Sequence, residues 1–331
     1  MAHHRRVSAN SKVNNDTGFG TSTNNVGGRF VNRDGSFNLR KEGLPVWDRF
    51  SMFHRMLTMP LWRFIFIVVV FYFSINVLFS ICYYFIGPGE FAGMIATTQW
   101  QKFKEIYFFS TETFTTVGYG RVNPVGDMAN FVASIEAISG FLSLAAFTGL
   151  VYGRFSKPQS FLMFSEKALI SPYQDKMALM FRFASYKDEH VLTDLEVKVT
   201  VAFQEIENDK TVFRFFNLDL ERHRVDSLPM NFTVVHALDE NSPLYGFGPE
   251  EMKNADLEIY VLTRGFDDVY SNIVLQRTSY TYDEVVFNAK FVPMYRESED
   301  KNTTILQLDK LDKYVEVVKE APQKQELERQ N

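Results

Sequence analysis

The sequence predicts an α+β membrane protein: two apolar spans with a short insertion between them, followed by a β-rich soluble domain. Three observations carry this. Residues 64–86, FIFIVVVFYFSINVLFSICYYFI, run 23 positions without a charged side chain. Residues 128–152 form a second apolar run broken by one acid, Glu136. Beyond residue 155, segments such as LEVKVTVAF alternate apolar and polar positions between turn-rich stretches, the period-2 pattern of half-buried strands. The chain has 331 residues, 46 % of them hydrophobic, and a net charge of −5. That length suffices for a sizeable core, and the mild acidity argues against a nucleic-acid partner. The one cysteine, Cys82, lies in the first apolar run, so an intrachain disulfide is ruled out.

Residues 1–28 are rich in Asn, Ser, Thr and Gly, which reads as a disordered tail and not as a signal peptide. His3 and His4 belong to that tail, not to a metal site. The segment 29–60 follows. Within it, VWDRFSMFHRML places Trp47, Phe50, Phe53, Met56 and Leu57 near one face of a helix over about 47–59, and Pro60 separates this helix from the span. An amphipathic helix just before a span suits the plane of the membrane interface. An ordinary surface helix of the soluble domain fits the same pattern.

The outer helix, 61–86, starts with the interfacial pair Trp62-Arg63 and is long enough, at about 39 Å, for a tilted crossing. The inner helix, 128–154, carries Ala133, Ser134, Ala137, Gly140, Ser143, Ala145, Ala146 and Gly149, small residues that let helices approach closely in lipid. Basic residues cluster before the first span (Arg40, Lys41, Arg49, Arg55, Arg63) and after the second (Arg154, Lys157, Lys167), while 87–127 holds only Lys102, Lys104 and Arg121. This bias predicts both termini in the cytoplasm, a pore domain at 61–154 and a cytoplasmic domain with its tail at 155–331.

Between the spans, a short pore helix at 103–114 leads into TTVGYG, residues 115–120. Non-helical backbone at membrane depth is tolerated where it lines a water-filled path. A potassium filter meets that condition: the carbonyls of Thr116, Val117, Gly118 and Tyr119 would replace the hydration shell of K⁺. Gly118 and Gly120 supply dihedrals that a Cβ would oppose. The carbonyl end of the preceding helix favours a cation in the cavity below. One chain carries one such segment, so a homotetramer follows. No apolar segment carries arginine at every third position, so no voltage sensor is expected.

These residues resemble the inward-rectifier potassium channel family, and more closely its prokaryotic branch. The resemblance covers roughly 29–318 and rests on GRFVNRDGSFN, FFSTETFTTVGYG, TGLVYGRFSKP, TVVHALDENSPLYGF, VLQRTSY and DEVVFNAKFVP, in the family's order. It implies two transmembrane helices with a pore helix and selectivity filter, plus a cytoplasmic Ig-like β-sandwich, in a homotetramer. It also implies a multi-pass protein of the bacterial inner (plasma) membrane, with no enzymatic activity and no cofactor, K⁺ being the permeant ion. MALMFRF, LEVKVTVAF, DLEIYVLTRGF and DEVVFNAKF read as its strands.

The resemblance assigns further roles. Glu112 matches the pore-helix acid that braces the filter, and Arg121 stands next to its usual partner's position. Leu144 takes the cavity position that is acidic in strong rectifiers, and Arg214 and Arg264 replace two cytoplasmic-pore acids. Mg²⁺, Ba²⁺ and polyamines are the candidate blockers; block by polyamines or Mg²⁺ relies on such acids, so weak rectification is expected. Glu136 or Asp268 could supply a substitute ring; the other reading of Glu136 is a hydrogen-bonded side chain packed behind the filter. Tyr152 falls at the bundle-crossing gate, although an interfacial Tyr is also common at span ends. A second constriction, the G-loop, corresponds to Gly265 through Val274, with Ser271 near its narrowest point. Arg63, Arg154 and Lys157 match an anionic-lipid or phosphoinositide site, which Gln159 and Ser160 leave incomplete. In prokaryotic relatives such lipids inhibit, so activation is not assumed. His190, His223 and His236 read as structural or surface residues, with proton sensing as the alternative. A non-conducting membrane sensor whose sandwich binds a ligand or partner is the competing function; the intact TTVGYG argues against it.

Overall fold

The computed structural model describes residues 29–317 apart from residues 50, 208 and 209. The tail at 1–28, with His3 and His4, lies outside the described residues, as do Phe50 and the stretch from 318. The chain divides into two compact units, residues 42–157 and a unit that joins residues up to Lys41 to those from Pro158 onward.

The first unit is helical. A single interfacial helix over 47–59 is not formed; the chain makes α1 (Val46–Arg49) and α2 (Met52–Thr58) instead. The break falls at Ser51, whose hydroxyl accepts from the His54 amide and caps α2, the arrangement that favours serine at a helix start. Trp47, Met52 and Phe53 are exposed. The outer helix α3 (Leu61–Ile86) and the inner helix α5 (Asp127–Phe155) are both long and apolar enough to cross a bilayer, and most of their bulky apolar side chains are uncovered. Between them lies α4 (Gln99–Phe114), which begins four residues before the expected 103. A capping box sets that start: Thr98 and Gln101 satisfy each other's backbone amides. Two-residue strands β1 (Phe91–Ala92) and β2 (Asn123–Pro124) pair across the connecting segment. Tyr83, Phe91, Ile106, Phe109, Val122 and Ala129 form the core that fastens α4 between the long helices.

The second unit is a β-sandwich. One sheet holds β6 (Leu192–Glu207), β7 (Lys210–Asn217), β8 (Arg224–Ser227), β10 (Glu258–Asp267) and β11 (Asn272–Thr281). The other holds β3 (Leu162–Phe164), β4 (Ala168–Tyr173), β5 (Lys176–Ser185), β9 (Asn231–Ala237) and β12 (Val285–Phe287). All pairings in these sheets are antiparallel except β4 with β12. The alternation of LEVKVTVAF is realised: Leu195, Val197, Val199, Val201 and Phe203 all enter the common core. DEVVFNAKF is not one strand. It splits into β12 and β13 (Ala289–Phe291) at Asn288, whose φ of +52° is left-handed, a conformation asparagine tolerates better than most residues. The helix α6 (Pro249–Asn254) closes one end of the core with Met252. Short strands β14 (Tyr295–Glu297), β15 (Thr304–Leu306) and β16 (Tyr314–Glu316) complete the unit, β14 with β15 and β13 with β16.

The expected division at 60 and 155 also shifts, because residues 29–41 belong to the sandwich. Phe30 and Val31 pack on Ala202, Phe213, Phe215 and Tyr260, the outward face of the β6 sheet. The amides of Phe30 and Val31 donate to the Glu258 carboxylate, and Arg29 and Arg33 reach Glu284 at 3.0 and 2.8 Å.

Candidate ion-conduction site

The stretch 115–120 leaves α4 without entering another regular element. Thr115 continues the helical sense with φ −84°. Positive φ then falls on alternate residues: Thr116 at +62°, Gly118 at +54° and Gly120 at +80°. In ordinary extended backbone successive carbonyls point to opposite sides; alternating the hand of the backbone turns them to one side. The amides of Val117 and Gly118 both donate to the Glu112 carbonyl, at 2.9 and 3.2 Å. Among the described residues, no backbone amide donates to the carbonyls of Thr116, Val117, Gly118 or Tyr119. Residues 116–119 are exposed, and unpaired carbonyl oxygens of this kind can serve as ligands for a weakly hydrated cation. Thr116 carries positive φ despite its Cβ, which the glycine pattern did not reveal.

Whether Glu112 and Arg121 pair is open from the sequence; among the described residues of one chain no bond joins them. Arg121 instead donates to Glu105 at 3.0 Å, and Glu105 also accepts from the Ile95 and Ala96 amides. Glu105 lies two turns nearer the start of α4, level with the loop that follows the filter, and so offers Arg121 the shorter reach. Nothing in the sequence around Glu105 marked it. Glu136 is buried, with zero exposure, and bonds to Tyr83 and Ser110. It cannot be an ion-facing ring, and the hydrogen-bonded reading stands.

Leu144 and Tyr152 are 63 % and 73 % exposed and two turns apart along α5, hence near one face of the helix. Arg154, which the resemblance matches to the lipid site, is engaged within the chain. Its two Nη groups donate to the Met56 and Met59 carbonyls, at 2.6 and 2.7 Å, and its guanidinium stacks over Phe64. The free carbonyls at the end of α2 attract a cation, and Arg154 lies within reach of them. Arg63 and Lys157 stay exposed.

In the sandwich, the expected loop 265–274 is mostly strand, because β10 and β11 pair from Asp267–Asn272 inward. Gly265 sits inside β10 at an irregularity in the pairing with β6, where an added Cβ would press on Leu195. The turn itself is 268–271, with exposed Ser271 at φ +47°. Asp267 anchors it by accepting from the Tyr270 amide at 2.9 Å and facing His190 at 2.8 Å. Arg264 is exposed and Arg214 half-buried. His236 is buried between the Asp219 carbonyl and the Ser242 hydroxyl, and burial pushes its pKa below the usual histidine value. His223 is exposed. Among the described residues there is no cluster of three metal-ligating side chains.

Comparison with known proteins agrees with this geometry. The family profile of the inward rectifier potassium channel C-terminal domain matches residues 162–331, and a profile described as an ion channel matches 50–157. Inward rectifier potassium channel Kirbac3.1 of Paramagnetospirillum magnetotacticum is 32 % identical over 274 residues, 82 % of this chain and 91 % of that one. Inward rectifier potassium channel 4 of Rattus norvegicus is 27 % identical over 230 residues, 64 % of this chain and 51 % of its own length. With two helices fit to span a bilayer, a filter-like backbone between them and a sandwich after them, the chain belongs to the inward-rectifier potassium channel family, in its prokaryotic branch: it is a membrane ion channel and not an enzyme.

Proposed function

We propose that four copies of this chain close around one axis as a K⁺-selective channel, with Thr116, Val117, Gly118, Tyr119 and Gly120 from each copy forming the filter. The observation that carries this reading is the alternating backbone of 116–120 with its unpaired carbonyls. K⁺ is the transported substrate: it exchanges hydration water for these oxygens and moves between adjacent sites. The end of α4 directs its negative pole toward the cavity, where it lowers the cost of a dehydrating cation.

Conduction is gated where the inner helices cross. Four copies of Tyr152 narrow the path until it dewets, and the 268–271 turns form a second constriction. Leu144 places no charge in the cavity, and Arg214 and Arg264 stand where strong rectifiers carry acids, so polyamines and Mg²⁺ meet fewer acidic groups and rectification is weak. Arg63 and Lys157 attract anionic lipid headgroups from the cytoplasmic leaflet, at about 1 kcal/mol each. Both termini face the cytoplasm.

Rubidium uptake into liposomes holding the purified protein tests the reading. Uptake blocked by Ba²⁺, sustained by K⁺ or Rb⁺ gradients and not by Na⁺, is expected, and Tyr152→Ala is expected to raise it several-fold. No uptake from either protein, with or without anionic lipid, would overturn the channel reading. Wild-type uptake unchanged by Tyr152→Ala would move the gate to the 268–271 turn.

A further inference from the structure

Polar side chains with no exposed surface lie between the three long helices of the membrane unit: Asn76, Ser80, Ser110 and Glu136. The Tyr83 hydroxyl of α3 donates to Glu136 Oε2 of α5 at 2.5 Å. The Ser110 hydroxyl of α4 donates to Glu136 Oε1. Ser110 Oγ also lies 3.2 Å from both the carbonyl and the side-chain oxygen of Asn76. Asn76 is itself held by its bond to the Tyr72 carbonyl at 2.7 Å. One turn along α5, Gly140 comes so close to Phe114 that an added Cβ would overlap the Phe114 carbonyl. The inner helix thus touches α4 at Ser110 and Phe114, and the filter begins one residue later.

A carboxylate inside a membrane segment is costly unless its oxygens are satisfied. Here both oxygens have donors, one from each of the other two helices, so Glu136 fixes the rotation and depth of α4 against α3 and α5. Among the described residues Glu136 is tied to both of the other helices. Arg121 is engaged by Glu105, and the Glu112 carboxylate has no partner among the described residues of its own chain. We propose that Glu136 is the positioning residue that holds the end of the pore helix, and through it the filter backbone, with Tyr83 and Ser110 as its donors. It acts through α4 and does not touch the ion.

This inference rests on the filter reading, and the test separates the two. The probes are Rb⁺ uptake, the Rb⁺ over Na⁺ selectivity ratio and the Ba²⁺ concentration for half-block, on full-length protein in liposomes. Tyr83→Phe removes one donor and keeps both shape and charge; Glu136→Gln removes the charge. Each is expected to lower selectivity or Ba²⁺ affinity roughly tenfold, about what losing a hydrogen bond to a carboxylate corresponds to, and the double variant to lose less than the sum of the two. A role in general stability would reduce the yield of folded protein and leave the ratio and the Ba²⁺ midpoint of the surviving channels unchanged. Wild-type protein without Ba²⁺-sensitive uptake overturns the filter reading and this inference together. Selective wild-type uptake with wild-type ratio and midpoint in Tyr83→Phe overturns the inference alone, whether or not Glu136→Gln folds.

Discussion

At the scale of single residues, the filter depends on three backbone angles. Gly118 and Gly120 were legible in the sequence because glycine alone takes positive φ without a steric cost. Thr116 was not, because nothing in a threonine announces φ +62°; its conformation is imposed by the amide bonds that fold the following residues back on α4. Gly118 has open space around the position of a Cβ, so Gly118→Ala tests the angle and not the packing. The left-handed backbone costs an alanine about 1–2 kcal/mol, in four copies of one filter. Rb⁺ uptake by Gly118→Ala is expected to lose its preference over Na⁺, which flux under opposed gradients measures; preserved selectivity would show that the positive φ is not required. The partner of Arg121 was illegible for a different reason: Glu105 is sixteen positions away, and helix geometry alone does not bring the two together.

Among elements, the coupling of α2 to α5 is where the structure departs most from a reading by pattern. A cluster of basic residues beside a span suggests lipid, and Arg63 and Lys157 remain exposed as that reading requires. Arg154 instead clasps two carbonyls at the end of α2, while Leu57 packs on Gly153 one residue before it. The guanidinium fork can serve two carbonyls at once, and a lysine ammonium presents no such fork. Arg154→Lys is therefore expected to change uptake several-fold even in liposomes without anionic lipid. Unchanged uptake there, with a shift confined to the anionic-lipid titration, would return Arg154 to the lipid site. The early start of α4 is written locally in the sequence, since Thr98-x-x-Gln101 is a capping-box signature. The division of DEVVFNAKF was not legible, since its alternation runs through Asn288 without a break.

For the whole molecule, the buried His236 gives the sandwich a pH-dependent contribution to stability. Burial holds the His236 pKa below 6.5, so on acidification the unfolded chain takes up the proton first. Stability then rises with pH through the window just below 6.5 and is lost as the pH falls. The melting temperature of the purified protein is expected to drop between about pH 7 and pH 5.5, and His236→Gln to lower it at neutral pH while flattening that slope. An unchanged slope in the variant would assign the acid sensitivity to other groups. The two spans, the filter segment and the inward face of β6 are readable from local sequence, because length, glycine placement and period are properties that any stretch of chain expresses alone. The enclosure of Glu136 by Tyr83 and Ser110, the hold of Arg154 on α2 and the packing of residues 29–31 on the sandwich come from long-range packing. Those partners lie 53, 26, 98 and 228 positions apart, and a polar group's partner at that range is chosen by how whole helices and sheets pack, where leaving it unpaired would cost more than any local preference.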